Sequence, residues 1–362
     1  MPYFTTFLSL AALVAVAVAA PSNTASKTGT AKRATCTVNS VASAANLSSC
    51  TSVVITGFTV PSGQTAASGA SVTMTGDIVF SKTTCRRLSN INFNGGDHKI
   101  SDFPRFQGNG PLYWDGQGTN GGVAKPHPFV KFKGSGTFQD VTVLNSPAQA
   151  ISVGTTATST IEHITVDNSA GDAGALGHNT DGFDVSASSV TFSQVTVKNQ
   201  DDCFAINSGS GIVIEDSTCS GGHGISIGSI ASDHSVSNVK IARNTVTNSV
   251  YGLRIKVDAN ASDASVSGVT YEANTLSGIT KYGVLISQSY PDDDGTPGTG
   301  APISGIAFNG GTTSVSVTSS SFTLVVDCGA CSGTWDFSGL DATGGKGHMI
   351  SANKATISGG TF

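Results

Sequence analysis

Asn179-Thr180-Asp181-Gly182-Phe183-Asp184-Val185, Gln200-Asp201-Asp202-Cys203-Phe204-Ala205-Ile206 and Gly221-Gly222-His223-Gly224-Ile225-Ser226-Ile227 carry one pattern three times. Polar residues stand in front of an alternating triplet, and Asp181, Asp202 and His223 follow one another at intervals of 21 residues. Gly252-Leu253-Arg254-Ile255-Lys256 adds a fourth strand of the same kind. Alternation with period two marks a strand with one buried face. The same chemistry returning before the same short strand predicts a stack with one member per layer.

Outward from this stretch the repetition continues. Ile161–Val166, Val190–Val195, Ile212–Ile214, Val239–Ile241 and Val269–Tyr271 begin successive units, with starts 29, 22, 27 and 30 residues apart. A second strand per unit gives Phe183, Phe204, Ile225, Leu253 and Val284. Such a unit cannot bury its own apolar face, whereas stacking on its neighbours can. The expected fold is all-β, a right-handed parallel β-helix. A β-sandwich or propeller would need hairpins and a different period. Ala and Leu between Cys36 and Cys50 suggest a short capping helix over Val41–Leu47, and Ser81–Lys99 reads as irregular. Trp114-Asp115-Gly116-Gln117-Gly118 reads as an aromatic, glycine-rich turn.

The 362 residues include 44 glycines, only 12% are charged, and the formal charge is −5. Residues 1–20 contain the apolar run Phe7–Val18, too short to span a membrane, and read as a secretory signal peptide. Residues 21–33 end in Lys32-Arg33 and read as a propeptide, leaving residues 34–362 as a single β-helix domain. The expected protein is exported and has no membrane attachment after signal cleavage. Seven cysteines suit that compartment. Cys36 and Cys50, Cys203 and Cys219, and Cys328 and Cys331 could pair, with Cys85 left over. Zinc is the competing reading of Cys328 and Cys331, but a second such pair is missing. Asn46 and Asn260 head glycosylation sequons.

Neighbouring parallel strands lie about 4.8 Å apart. Asp181, Asp202 and His223 should therefore form a ladder with Asp201 beside it, and Arg254 and Lys256 should emerge one layer beyond. Ionised carboxylates in adjacent layers repel, so at least one should stay protonated in mildly acidic solution. One acid with one or two bases is the equipment for cleaving a glycosidic bond. The plainer readings are an Asp ladder in solvated turns, or a calcium site. Two cations on one side of a strand, in a chain otherwise acidic, point to an anionic substrate held locally.

Asn179-Thr-Asp181, Gln200-Asp-Asp202, Gly222-His-Gly224 and Arg254-Ile-Lys256 resemble, in order and spacing, the four signature segments of the polygalacturonase family of glycoside hydrolases. The resemblance runs from Cys36 to about Lys346 and is strongest to secreted fungal endo-acting members. It implies hydrolysis of α-1,4-galacturonosyl bonds in de-esterified pectin with inversion. Asp201 would be the general acid, and Asp181 and Asp202 would activate water. His223 would support the acid's protonation and Asn179 would bind near the cleaved bond. Arg254, Lys256 and Tyr290 would contact the galacturonate. The resemblance implies no metal and no cofactor, a polysaccharide rather than nucleic acid as partner, and a monomer.

Carboxylates one layer apart sit at about 5 Å, which the usual separation rule assigns to retaining enzymes. A water held between Asp181 and Asp202 reconciles that spacing with inversion. The chain departs from the family pattern in having no cysteine in residues 332–362 and in placing Cys85 within Thr83–Arg87. The alternatives from other classes are a calcium-dependent pectate lyase and a non-catalytic, sugar-binding β-helix.

Overall fold

In the computed structural model Phe183, Val185, Phe204, Ile206, Ile225 and Ile227 are all fully buried, and the strands carrying them pair in parallel. The structure describes residues 35–40, 42–45, 52–60, 71–80, 82, 91–97, 100–101 and 105–362. Burial alternates along most strands, as in Val190–Ser193 and Thr313–Val317, so each coil turns one side of every strand inward.

Each coil visits three parallel sheets. The sheet that bears the polar ladder contains Phe183–Ser186, Ile225–Ile230, Tyr251–Asp258 and Tyr282–Tyr290. The chain then passes to a second sheet, through strands such as Val190–Ser193 and Ser235–Ala242. A third sheet follows, with Thr165–Asp167, Thr196–Lys198 and Thr218–Ser220 in register. A turn then returns the chain to the ladder sheet one layer on. This is the parallel β-helix expected from the sequence, and the right-handed sense is that of parallel crossovers generally.

The observed register matches the expected alignment in the ladder sheet, where Phe183, Phe204, Ile225, Leu253 and Val284 are successive partners. In the second sheet Val190, Ile212, Val239 and Val269 align as expected. The earliest pair is slipped by two, since Ile161 lies opposite Phe192. An even slip keeps every side chain on its face, so the apolar pattern alone could not reveal it. Inside, Phe183 stacks on Phe204 at 4.9 Å, and Phe192 meets both rings edge-on. Each such ring contributes about 1.5–3 kcal/mol by leaving water.

The helix expected over Val41–Leu47 is corrected to a 3-10 turn, Ala42–Ala45, with residues 41, 46 and 47 outside the described set. Ser43 Oγ donates to the Ser40 carbonyl at 2.8 Å, and the Ser40 N–H donates to Ser43 Oγ. Such local side-chain bonds compete with helical ones. The stretch read as irregular holds the strand Ile91–Asp97, paired with Val130–Gln139. Cys203–Cys219 and Cys328–Cys331 are disulfides, so the zinc reading of the latter pair falls. Cys36 is disulfide-bonded, but its expected partner Cys50 lies outside the described residues, as do Cys85, Asn46 and residues 1–33.

Candidate active site

Three turns from the third sheet into the ladder sheet hold the polar residues. Because Phe183, Phe204, Ile225 and Leu253 are level, so are Asp181, Asp202, His223 and Tyr251, each two residues earlier. Ile151 pairs with Phe183, which adds Gln149 to the row. Close packing of these turns leaves no room for side chains at Gly182, Gly224 and Gly252, the next position in three of the four. A Cβ on Gly224 would lie 2.1 Å from the Gly252 carbonyl, at a φ of +71° that favours glycine anyway. Asn199, buried beneath the second turn, ties it to the first. Its Nδ2 donates to the Thr180 carbonyl at 3.0 Å and to the Asp202 carbonyl at 2.8 Å.

Neighbours in sequence, Asp201 and Asp202 have different partners. Asp202 is fully buried, and its Oδ1 accepts from Arg254 Nη2 at 2.7 Å and from Ser226 Oγ at 2.7 Å. Its Oδ2 accepts from Lys256 Nζ at 2.6 Å. Asp201 Oδ1 accepts from the Asp202 N–H at 2.8 Å and lies 3.0 Å from His223 Nδ1, while its Oδ2 accepts from Asn179 Nδ2 at 3.2 Å. Asp181 is buried, and its Oδ1 has no hydrogen-bond partner.

These environments push the carboxyl groups apart. Burial, then the charges of Asp201, Asp184 and Asp202, drive Asp181 well above the ordinary carboxylate range. Burial and the charges of Asp202 and Asp201 push Asp184 up to about 7. Burial also acts to raise Asp201, but the hydrogen bond and charge of His223 outweigh it and bring the group down to about 2. A raised carboxyl was expected among the three acids, and it is Asp181. The low value of Asp201 reflects its contact with His223, whose Nδ1 lies 3.0 Å from Oδ1.

All eight residues named from the sequence lie at this cleft. It encloses about 380 Å³, and Asn179, Asp181, Asp201, His223, Arg254, Lys256 and Tyr290 line it. Asp202 lies just behind, reached through the two cations. The structure adds detail to two of the expectations. His223 is level with Asp202 but bonds Asp201, because Asp202 is turned toward Arg254 and Lys256. The two cations, expected to serve the substrate, have Asp202 as their first partner. Arg254 also lies 4.1 Å from the Tyr251 ring centroid, and Lys256 Nζ 5.3 Å from that of Tyr290.

Gln149, Tyr251, Lys281 and Asp293 also line the cleft and were not singled out as site residues. Tyr251 meets the His223 ring edge-on at 5.5 Å, and its hydroxyl donates to Asp293 Oδ2 at 2.7 Å. Lys281 is paired with the same carboxylate. Tyr251 stands two before Leu253 as His223 stands before Ile225, so extending the alignment would have found it. Gln149, two before Ile151, follows the same rule, and nothing comparable marks Asp293.

Asp201, Asp202 and His223 offer ligand atoms within 4.8 Å of one another. They suit a cation poorly. Both Asp202 oxygens are taken by Arg254 and Lys256, whose charges would repel the ion, and both Asp201 oxygens already accept hydrogen bonds. Calcium needs six to eight oxygen ligands.

Comparison with known proteins agrees with this geometry. The endo-polygalacturonase of Sclerotinia sclerotiorum is 45% identical over 318 residues, covering 82% of this chain and 80% of that protein. Endopolygalacturonase I of Aspergillus niger is 40% identical over 353 residues, covering 94% and 95%. Endopolygalacturonase I from Stereum purpureum, solved with two galacturonates, superposes with a TM-score of 0.88 at 56% identity, over 90% of this chain and 100% of that one. The sequence pattern described as glycosyl hydrolases family 28 matches residues 50–359. The chain therefore belongs to glycosyl hydrolases family 28 and is a glycoside hydrolase.

Proposed function

We propose that this protein hydrolyses α-1,4-D-galacturonosyl linkages within chains of de-esterified pectin, with inversion at the anomeric carbon. The observation that carries the reading is one cleft holding two buried cations, Arg254 and Lys256, beside Asp181 and the Asp201–His223 pair. The polygalacturonase relatives set the substrate class.

The uronate carboxylate takes the donors of Arg254 and Lys256 that Asp202 leaves free, with the Tyr290 ring at its side. Arg254 suits a carboxylate because its planar fork offers several parallel donors. The Asp201–His223 pair gives its proton to the glycosidic oxygen through Asp201. Water sits between Asp181 and Asp202, and Asp181 Oδ1 accepts its proton in the molecules where Asp181 is ionised. A carboxylate with a raised pKa is the stronger base of the two. Attack by that water, rather than by a carboxylate, gives inversion. Residues 1–20 act as signal peptide and residues 21–33 as propeptide, so the mature, secreted, monomeric enzyme begins at Ala34. Asn260 lies exposed and is available for glycosylation.

Purified protein on polygalacturonate tests the reading through viscosity and reducing ends together. A large viscosity drop at low bond cleavage is expected, with a β-configured first product by NMR. Asp201→Asn should lose about 10²–10⁴-fold in rate. An unsaturated, UV-absorbing product that disappears with EDTA would establish a lyase instead, and full activity in Asp201→Asn would remove the acid assignment.

A further inference from the structure

None of residues 114–125 lines the cleft, yet this loop packs on the first catalytic turn. Trp114 is buried, and its Nε1 donates to the Ser146 carbonyl at 3.2 Å. Asp115 gathers the rest of the loop. Its Oδ1 accepts from Lys125 Nζ at 2.7 Å and from the Gln117 N–H at 3.0 Å, and its Oδ2 from the Val123 N–H at 2.6 Å. Lys125 is 3% exposed and also donates to the Val123 carbonyl. Both ends of the loop are thus held by one carboxylate.

The middle of the loop grips Asn179. The Thr119 N–H donates to Asn179 Oδ1 at 3.0 Å, the Thr119 hydroxyl at 3.3 Å and Asn120 Nδ2 at 3.4 Å. Gly118, at a φ of +56°, presses against the same oxygen, which a Cβ there would approach to 2.2 Å. Asn179 itself has a φ of +50°. With three donors on Oδ1, the amide can only turn its Nδ2 the other way, and that atom donates to Asp201 Oδ2. Asp201 Oδ1 is already engaged inward by His223 and the Asp202 N–H. Oδ2 is therefore the oxygen left to meet the substrate.

We propose that Asp115 is a positioning residue for the reaction: through Lys125 and Thr119 it fixes the Asn179 amide, which aims Asp201 Oδ2 into the cleft. This rests on the reading of Asp201 as the acid. His223, Asp181, Asp184, Asp202, Arg254 and Lys256 also act electrostatically on Asp201 or its neighbours, and all are left intact by changes at Asp115.

A double-mutant cycle on the full-length enzyme tests it. Asp115→Asn should lower kcat about ten- to a hundredfold with a smaller change in KM. Asn179→Ala should do the same, and the double variant should be no worse than Asn179→Ala alone. In each, the alkaline limb of kcat/KM should move up by about one pH unit, because the acid loses a donor to its charged form. Lys125→Met should reproduce Asp115→Asn, and Lys125→Arg should restore most activity. If Asp115→Asn does not fold, Thr119→Val, which removes only the hydroxyl donor, takes its place in the cycle. Losses that multiply in the double variant, or a limb that stays put, would overturn the inference. Asp201→Asn separates the two levels. Activity retained there removes the acid assignment itself, whereas multiplying losses beside an inactive Asp201→Asn remove only the role of Asp115.

Discussion

Two adjacent aspartates receive opposite treatment from their surroundings. Asp202 gives both oxygens to cations, and Asp201 is left to His223 and Asn179. The proposed proton donor is thus a carboxyl hydrogen-bonded to an imidazole rather than a lone acid. His223→Ala tests this directly. Without the imidazole, burial acts on Asp201 unopposed by that partner, so the alkaline limb of the rate profile should move up, in the same direction as at Asp115. The rate at the optimum should fall about 10²-fold. Activity across pH, with oligogalacturonates at concentrations below KM, reads both. An unmoved alkaline limb would mean that His223 does not tune the acid.

Among the elements, the turns carry more of the site than the strands do. Asn199 is the clearest case, since its amide joins the turn of Asp181 to the turn of Asp202. Asn199→Ala leaves two inward carbonyls without that donor and should cost about 2 kcal/mol, together with a loss of rate as Asp201 and Asp202 lose their seat. Chemical denaturation and initial rates measure the two effects. Stability lost with the rate unchanged would confine Asn199 to folding. The sequence made the strands and the Asp181, Asp202 and His223 row legible because a short coil repeats at 21 residues and the apolar triplets fix the register. It did not mark Asn199 or Asp115. Asn199 acts across about one coil and the loop behind Asp115 reaches Asn179 from 60 residues away, through backbone bonds that leave no periodic trace. Register gives the level of His223 but not its direction, so its pairing with Asp201 was legible only through the family resemblance.

On the scale of the whole molecule, a long apolar core keeps a cluster of acids dehydrated on one outer face, and this has a cost that varies with pH. Asp181 and Asp184 have folded-state values above those of the unfolded chain, where an Asp stands near 3.8. They bind protons more tightly when folded, so their contribution is complete below about pH 4; that of Asp184 is lost as pH rises through about 7, and Asp181 acts in the same direction. Asp201 and Asp115 are lowered to about 2, so theirs is present above about pH 4 and is lost as pH falls through about 2. The two windows meet, and maximal stability should lie near pH 4 rather than at neutrality. Between about pH 4 and 7 the fall should be of order 2–4 kcal/mol, or roughly 5–10 °C in Tm. Asp184→Asn keeps the shape of the side chain and removes its charge. It should flatten that fall while leaving the acid side unchanged. Thermal melts of both proteins from pH 2.5 to 8 decide the matter. Parallel curves for Asp184→Asn and the natural chain would show that the buried acids do not set the alkaline side of the stability profile.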